Sequence, residues 1–126
     1  NEWVLKWNFN VHNKWGVGFH EYGLPGYPAS HSCMRLLGAD AQFLYSWADQ
    51  WILKNNHELS ANGTPVIVFG KYPFGEPRPW FKVVEDPKAM IIPVDSLKSY
   101  IEPHLPAILE KQKQRQEVMA SVTTNN

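Results

Sequence analysis

FHEYGLPGYPASHSCMRL, residues 19–36, contains the only cysteine of the chain, Cys33. It begins within the apolar run WGVGFH (15–20), whose glycines allow a neighbouring backbone to approach closely, and this run predicts a strand that ends on His20. Residues 21–30 hold two glycines and two prolines, which predicts an ordered loop rather than a regular element. A loop of this length can bring the cysteine back towards the end of the strand.

The whole chain has the composition of one globular domain. Its 126 residues are 44% hydrophobic, and twelve basic residues balance twelve acidic ones, which argues against a nucleic-acid-binding surface. No apolar run reaches the roughly 18 residues of a membrane-spanning helix. The opening NEWVLKWNFN lacks the basic flank and apolar core of a signal peptide. A single cysteine excludes a disulfide within the chain and a zinc site built on several cysteines.

Hydrophobic periodicity predicts the remaining elements. Apolar side chains alternate over residues 3–9, which predicts a half-buried strand. A helical repeat predicts an amphipathic helix over 41–54 that covers the sheet, with Asp40 as its N-cap. The charged, Gln-rich end predicts a helical polar extension over 95–126. Short apolar runs predict three further strands, at 66–69, 81–85 and 90–94.

Cys33 has the surroundings that a nucleophilic cysteine requires. A thiol attacks only as its thiolate, so it needs an imidazole, a cation or a helix N-terminus nearby. His20, His31, Arg35 and the predicted helix supply all three. Two other interpretations stay open from the residues alone. A lone cysteine also serves as a small core residue, and His20, His31, Cys33 and His57 together could bind zinc.

Residues 19–36 resemble the active-site signature of the L,D-transpeptidases, the cysteine enzymes that cross-link peptidoglycan. In that family a strand-end histidine precedes a loop, and the loop leads into Ser-His-Gly-Cys, a hydrophobic residue, then Arg or Asn. His20 matches the histidine, and residues 30–35 match the second group. NGTPVIV (62–68) is similar to the family's turn and closing strand, so the likeness covers about residues 15–70.

The resemblance implies a mainly β fold with helices, an L,D-transpeptidase-like β-sandwich catalytic domain of which residues 1–94 form the C-terminal portion. It implies a cysteine acyltransferase: Cys33 forms a thioester with a peptidoglycan stem peptide, and an amine of a neighbouring stem opens it to form an L,D cross-link. His20 is the implied base. The other implied site residues are His31, Ser32 and Glu21 at the oxyanion hole and its loop, and Arg35, Ser30, Tyr22 and Tyr27 at the substrate.

The resemblance also implies a setting for the reaction. No cofactor and no metal are expected, and carbapenems are expected to acylate the cysteine because they mimic the acyl donor. The implied location is the bacterial cell envelope, periplasmic or facing the wall. Two alternatives remain: an L,D-carboxypeptidase or endopeptidase that hydrolyses the same bond, and a non-catalytic peptidoglycan-binding module of the same fold.

Three features depart from the family pattern. Ser32 stands where glycine is usual, so a positive φ at this position would strain the backbone. Glu21 stands where glycine or serine is common, although its carbonyl can still orient the imidazole. Only 19 residues precede His20, which predicts that the chain lacks the N-terminal strands of the catalytic domain.

Overall fold

The computed structural model describes residues 5–30 and 32–124, which belong to two compact units, Asn1–Thr64 and Pro65–Asn126. The first unit contains the strands and the residues of the signature segment. The second unit is helical in its regular elements. The domain boundary predicted at residue 94 stays a prediction.

A three-stranded sheet forms the centre of the first unit. Its strands are β1 (Phe9–Asn10), β2 (Gly18–Glu21) and β3 (Met34–Leu36), in the order β1-β2-β3. β1 pairs antiparallel with β2, and the rings of Phe9 and Phe19 stack with centroids 5.2 Å apart. β2 pairs parallel with β3, so the loop between them runs the length of the sheet. The predicted strand over 15–20 is thus present in its second half and extends to Glu21.

The sheet is shorter than the alternation at the N-terminus predicts. Trp7 lies in a turn with a φ of +56°, and strand pairing starts only at Phe9. The prediction of a strand over 3–9 is therefore wrong for residues 5–8, while residues 3 and 4 lie outside the described part of the chain. Trp7 still packs against Tyr45, at 5.6 Å between ring centroids, so its apolar character serves packing rather than strand pairing.

One helix and one hairpin complete the first unit. Helix α1 (Gly38–Trp47) packs on β2 and buries Ala41. It ends at Trp47 because Ala48 is extended, and β4 (Ile52–Leu53) then pairs antiparallel with β5 (Leu59–Ala61). The helix predicted over 41–54 is therefore too long.

The predicted cap of α1 is also wrong. The N-cap is Leu37, whose side chain cannot accept a hydrogen bond, and Asp40 lies inside the first turn. Asp40 contributes there only through its negative charge near the helix N-terminus.

In the second unit, helices and irregular chain occupy the segments predicted to be strands. A 3-10 turn (Pro79–Phe81) leads into α2 (Lys82–Glu85), and Val94 is the first residue of α3 (Val94–Ile101). A 3-10 turn (Glu102–His104) then joins α3 to α4 (Leu105–Thr124). The helical nature of the C-terminal end is confirmed over 105–124.

The strands predicted at 66–69, 81–85 and 90–94 are wrong. Pro79 begins the 3-10 turn in a position where a missing N–H costs nothing, and it directs 81–85 into helix. At 66–69 the chain has no pairing partner, and Val68 is 81% exposed.

The described residues hold five strands of two to four residues in two small sheets. The β-sandwich implied by the resemblance is therefore not confirmed, and helices contribute more residues than strands. Among the described residues, no helix is both long enough and apolar enough to cross a membrane.

Candidate active site

His20 is the central side chain of β2. It is only 5% exposed, because the alternation of the strand turns Gly18 and His20 towards the interior. Its Nδ1 lies 3.0 Å from the carbonyl oxygen of Glu21. A carbonyl can only accept, so Nδ1 carries the proton and Nε2 of the neutral ring holds a lone pair. The imidazole is thereby oriented as a base. The role predicted for the Glu21 carbonyl, to orient the imidazole, requires a hydrogen bond of this kind.

The strand register relates the cysteine segment to this histidine. His20 pairs directly with Arg35 across the parallel β2–β3 ladder. Cys33 precedes Arg35 by two residues and stands just before the first residue of β3. The register therefore brings the segment that carries the cysteine alongside the strand that carries His20.

Cys33 is half-buried, and its thiol donates to the carbonyl oxygen of Gly16, with Sγ 3.5 Å from that oxygen. Gly16 has a φ of +52°, which glycine adopts without strain and which turns the backbone before β2.

Arg35 ties the loop that separates the two strands. Its guanidinium donates to the carbonyl oxygens of Gly23 (3.3 Å) and Ala29 (3.0 Å). It also lies over the ring of Tyr22, 4.6 Å from the centroid, in a cation–π contact. These contacts anchor the loop. Binding of a substrate carboxylate stays a prediction.

Two serines shape the turn that presents the thiol. The hydroxyl of Ser30 donates to the carbonyl oxygen of Cys33 and accepts from the backbone N–H of Ser32 at 3.2 Å. The Ser32 amide, a predicted oxyanion donor, is therefore engaged inside the loop in this structure. Ser32 has a φ of +115°, which side-chain-bearing residues adopt only with strain. His31, the other predicted loop residue, lies outside the described residues.

Replacing Ser32 with glycine is expected to raise the free energy of unfolding by about 1 kcal/mol. Relief of backbone strain stabilises the folded state by roughly 1–3 kcal/mol. The greater conformational freedom of glycine in the unfolded chain lowers this gain by up to about 1 kcal/mol. Urea titration followed by tryptophan fluorescence measures this change. Ser30→Gly is the matched control: it removes the hydroxyl that joins Cys33 to Ser32 and should lower stability. A Ser32→Gly protein less stable than the parent would contradict the strain argument.

A family comparison covers this segment. The model of the YkuD family, described as the L,D-transpeptidase catalytic domain, matches residues 2–68, more than half of the chain. The chain belongs to this family. The matched L,D-transpeptidase segment includes His20 and Cys33, and a β-rich fold is what the family leads one to expect for it. Searches of characterised proteins and of solved structures gave no match to the chain.

The remaining predicted residues of this L,D-transpeptidase domain have different settings. Tyr22 is half-buried beneath Arg35 and meets the His20 ring edge-on, with centroids 5.9 Å apart. Tyr27 is 49% exposed on the loop. Within residues 5–30 and 32–124 no three His, Cys, Asp or Glu side chains cluster as metal ligands would, and His57 is exposed.

Sequence reasoning missed the backbone acceptors of the site. The thiol donates to the carbonyl of Gly16, and the guanidinium donates to the carbonyls of Gly23 and Ala29. The backbone carbonyl of Lys6 accepts a hydrogen bond from the N–H of Glu21 at 2.9 Å. A carbonyl is present at every position, so side-chain identity gives no signal for these partners. Only the small size of the residues hinted at close backbone approach.

Proposed function

We propose that this L,D-transpeptidase-family domain is a cysteine acyltransferase that acts on peptidoglycan stem peptides through a thioester on Cys33. The observation that carries the proposal is the hydrogen bond from His20 Nδ1 to the Glu21 carbonyl. It leaves Nε2 as a base on β2, which pairs with β3, the strand that begins one residue after Cys33. Family membership supports peptidoglycan as the substrate class.

In the proposed reaction, His20 takes the thiol proton and the Cys33 thiolate attacks the carbonyl carbon of an L,D peptide bond. The C–N bond breaks, the imidazolium returns its proton to the departing amine, and a thioester remains. An amine of a neighbouring stem then attacks this thioester, forms the cross-link and releases the thiol. Backbone amides at Ser32 and Cys33 stabilise the oxyanion, at roughly 3 kcal/mol for each donor.

The oxyanion hole in this proposal forms only when the substrate arrives. The Ser32 N–H has to leave the Ser30 hydroxyl in order to donate to the oxyanion. The stem peptide's carbonyl is the stronger acceptor once it carries negative charge, because hydrogen bonds to charged groups are about twice as strong as neutral ones. We place the reaction in the bacterial envelope, where the stem peptides are.

A non-catalytic module that binds peptidoglycan is the second candidate. It is favoured by one observation: the Ser32 amide is satisfied by the Ser30 hydroxyl, and the thiol is satisfied by the Gly16 carbonyl before β2. Such a module keeps its affinity for muropeptides after Cys33→Ala and has an unreactive thiol.

Incubation with a carbapenem tests the enzyme proposal. The β-lactam carbonyl is expected to acylate Cys33 with opening of the ring, so the protein mass rises by the whole mass of the drug. Intact-protein mass spectrometry followed by peptide mapping locates the adduct on the peptide that contains Cys33. Cys33→Ala is the control and should give no adduct. A parent protein without an adduct, or an adduct that persists in Cys33→Ala, contradicts the proposal.

A second assay of the same protein distinguishes transfer from hydrolysis. Supplied with a tetrapeptide stem and a stem amine acceptor, a transferase gives a cross-linked product. An L,D-carboxypeptidase releases the terminal D-residue without a cross-link, since water takes the place of the amine. Liquid chromatography with mass detection distinguishes the two products.

A further inference from the structure

Glu21 makes two backbone contacts that define the site. Its N–H donates to the Lys6 carbonyl at 2.9 Å, and its own carbonyl accepts from His20 Nδ1 at 3.0 Å. The orientation of the imidazole therefore depends on where the Glu21 peptide group is held. β2 ends at this residue, and just beyond it the Tyr22 N–H donates to the Leu36 carbonyl at 3.2 Å, which joins the same peptide group to β3.

The side chain of Glu21 makes a third contact, with the start of helix α1. A Cβ built on Gly38, the first residue of α1, would lie 3.2 Å from the Glu21 carboxyl carbon and 3.3 and 3.4 Å from its two oxygens. The carboxylate thus packs on the bare Cα of Gly38. A side chain at residue 38 would require the carboxylate to shift by a few tenths of an ångström.

The position of this carboxylate is electrostatically favourable. The N-cap residue Leu37 offers no side-chain acceptor, so the N-terminus of α1 has no cap from its own chain segment. A negative charge at that end interacts favourably with the helix dipole. A cleft of about 410 Å³ lies beside Glu21, lined also by Lys6, Leu24 and Leu37. Gly38 lines the same cleft, so the carboxylate lies along its wall at the start of α1.

We propose that the Glu21 carboxylate is a positioning group: anchored at the N-terminus of α1 against Gly38, it fixes the carbonyl that holds His20 in its Nδ1–H form. The inference rests on the proposed function, in which His20 is the base. It goes beyond that function because it assigns a role to a side chain at a position where the family commonly has glycine or serine. It also explains the glycine at the first position of the helix.

The tautomer of His20 tests this proposal directly. Long-range ¹⁵N–¹H spectra of histidine-labelled protein, recorded at mildly alkaline pH, distinguish Nδ1–H from Nε2–H rings, and H20Q assigns the signal. In the parent protein we expect a single Nδ1–H form. In E21A and in G38A the Nε2–H form should reach a comparable population, and alkylation of Cys33 by iodoacetamide should slow roughly tenfold.

Two controls separate positioning from stability. D40N removes another acidic group from the first turn of α1 and should leave the tautomer unchanged. G38A replaces glycine with a better helix former, so it tests the contact even where E21A fails to fold. A single Nδ1–H form retained in both E21A and G38A overturns the proposal, and so does an equal change in D40N. The spectra need no substrate, so a protein that takes no acyl donor can still support or overturn this inference.

Discussion

Replacing His20 with alanine is expected to slow the acylation of Cys33 by a factor of about 10²–10⁴, the range that a positioned general base contributes. The ring is 5% exposed and its Nδ1 is fixed by the Glu21 carbonyl, so the substitution removes an oriented, buried imidazole. The rate of carbapenem adduct formation at neutral pH, followed by mass spectrometry, measures the effect.

Two further variants make this result specific. His20→Gln keeps a polar side chain of similar size without a base and should be as slow as His20→Ala. His57→Ala removes an exposed imidazole from the β4–β5 turn and should acylate at the parental rate. If His20→Gln reacted as fast as the parent, His20 would not be the base and Cys33 would react through its own surroundings alone.

Replacing Gly63 with alanine is expected to lower the free energy of unfolding by about 3 kcal/mol. The added Cβ would lie 2.2 Å from the carbonyl oxygen of Asp49 and 2.9 Å from backbone atoms of Gln50 and Trp51. Backbone cannot rotate away as a side chain can, so the two segments must separate. Thr64 N–H donates to the Asp49 carbonyl at 3.0 Å, and Asp49 N–H donates to the Thr64 hydroxyl at 2.8 Å. Both bonds weaken, at about 1 kcal/mol each.

Urea unfolding of the parent and the variant measures this loss. Gly23→Ala is the matched control, since a Cβ there meets no atom within 4 Å. It should change stability by no more than about 0.5 kcal/mol. A Gly63→Ala protein within that same margin would show that the turn after β5 relaxes without cost.

The sequence predicts the part of the fold in which local signals agree. The strand that ends near His20, the Gly- and Pro-rich loop and the C-terminal helix each combine period and composition in one direction. The segment 81–85 shows the opposite case: valines favour a strand, but Pro79 starts a helical turn and the chain continues into α2. At 66–69 the apolar run lacks a neighbouring strand, and pairing partners are not encoded locally.

The candidate site divides in the same way. Side-chain chemistry identifies His20 and Cys33, and the resemblance carries the expectation that the Glu21 carbonyl orients the imidazole. The glycine usual before the cysteine led to the question of strain at Ser32, which has a φ of +115°. The Ser30 hydrogen bonds, the Gly16 acceptor and the contact between Glu21 and Gly38 depend on how the loop closes in three dimensions. The types of the residues involved do not indicate these contacts.

The hydrogen bonds from Arg35 to the carbonyls of Gly23 and Ala29 affect the entropy cost of binding a peptide at this loop. A loop free to move loses conformational entropy when a ligand orders it, and that loss weakens binding. Here the guanidinium orders the loop when the domain folds. A peptide that docks against this loop meets a surface already in place. The stretch between Gly23 and Ala29 then adds no ordering cost to binding, and the rearrangement that remains is the release of the Ser32 N–H from the Ser30 hydroxyl.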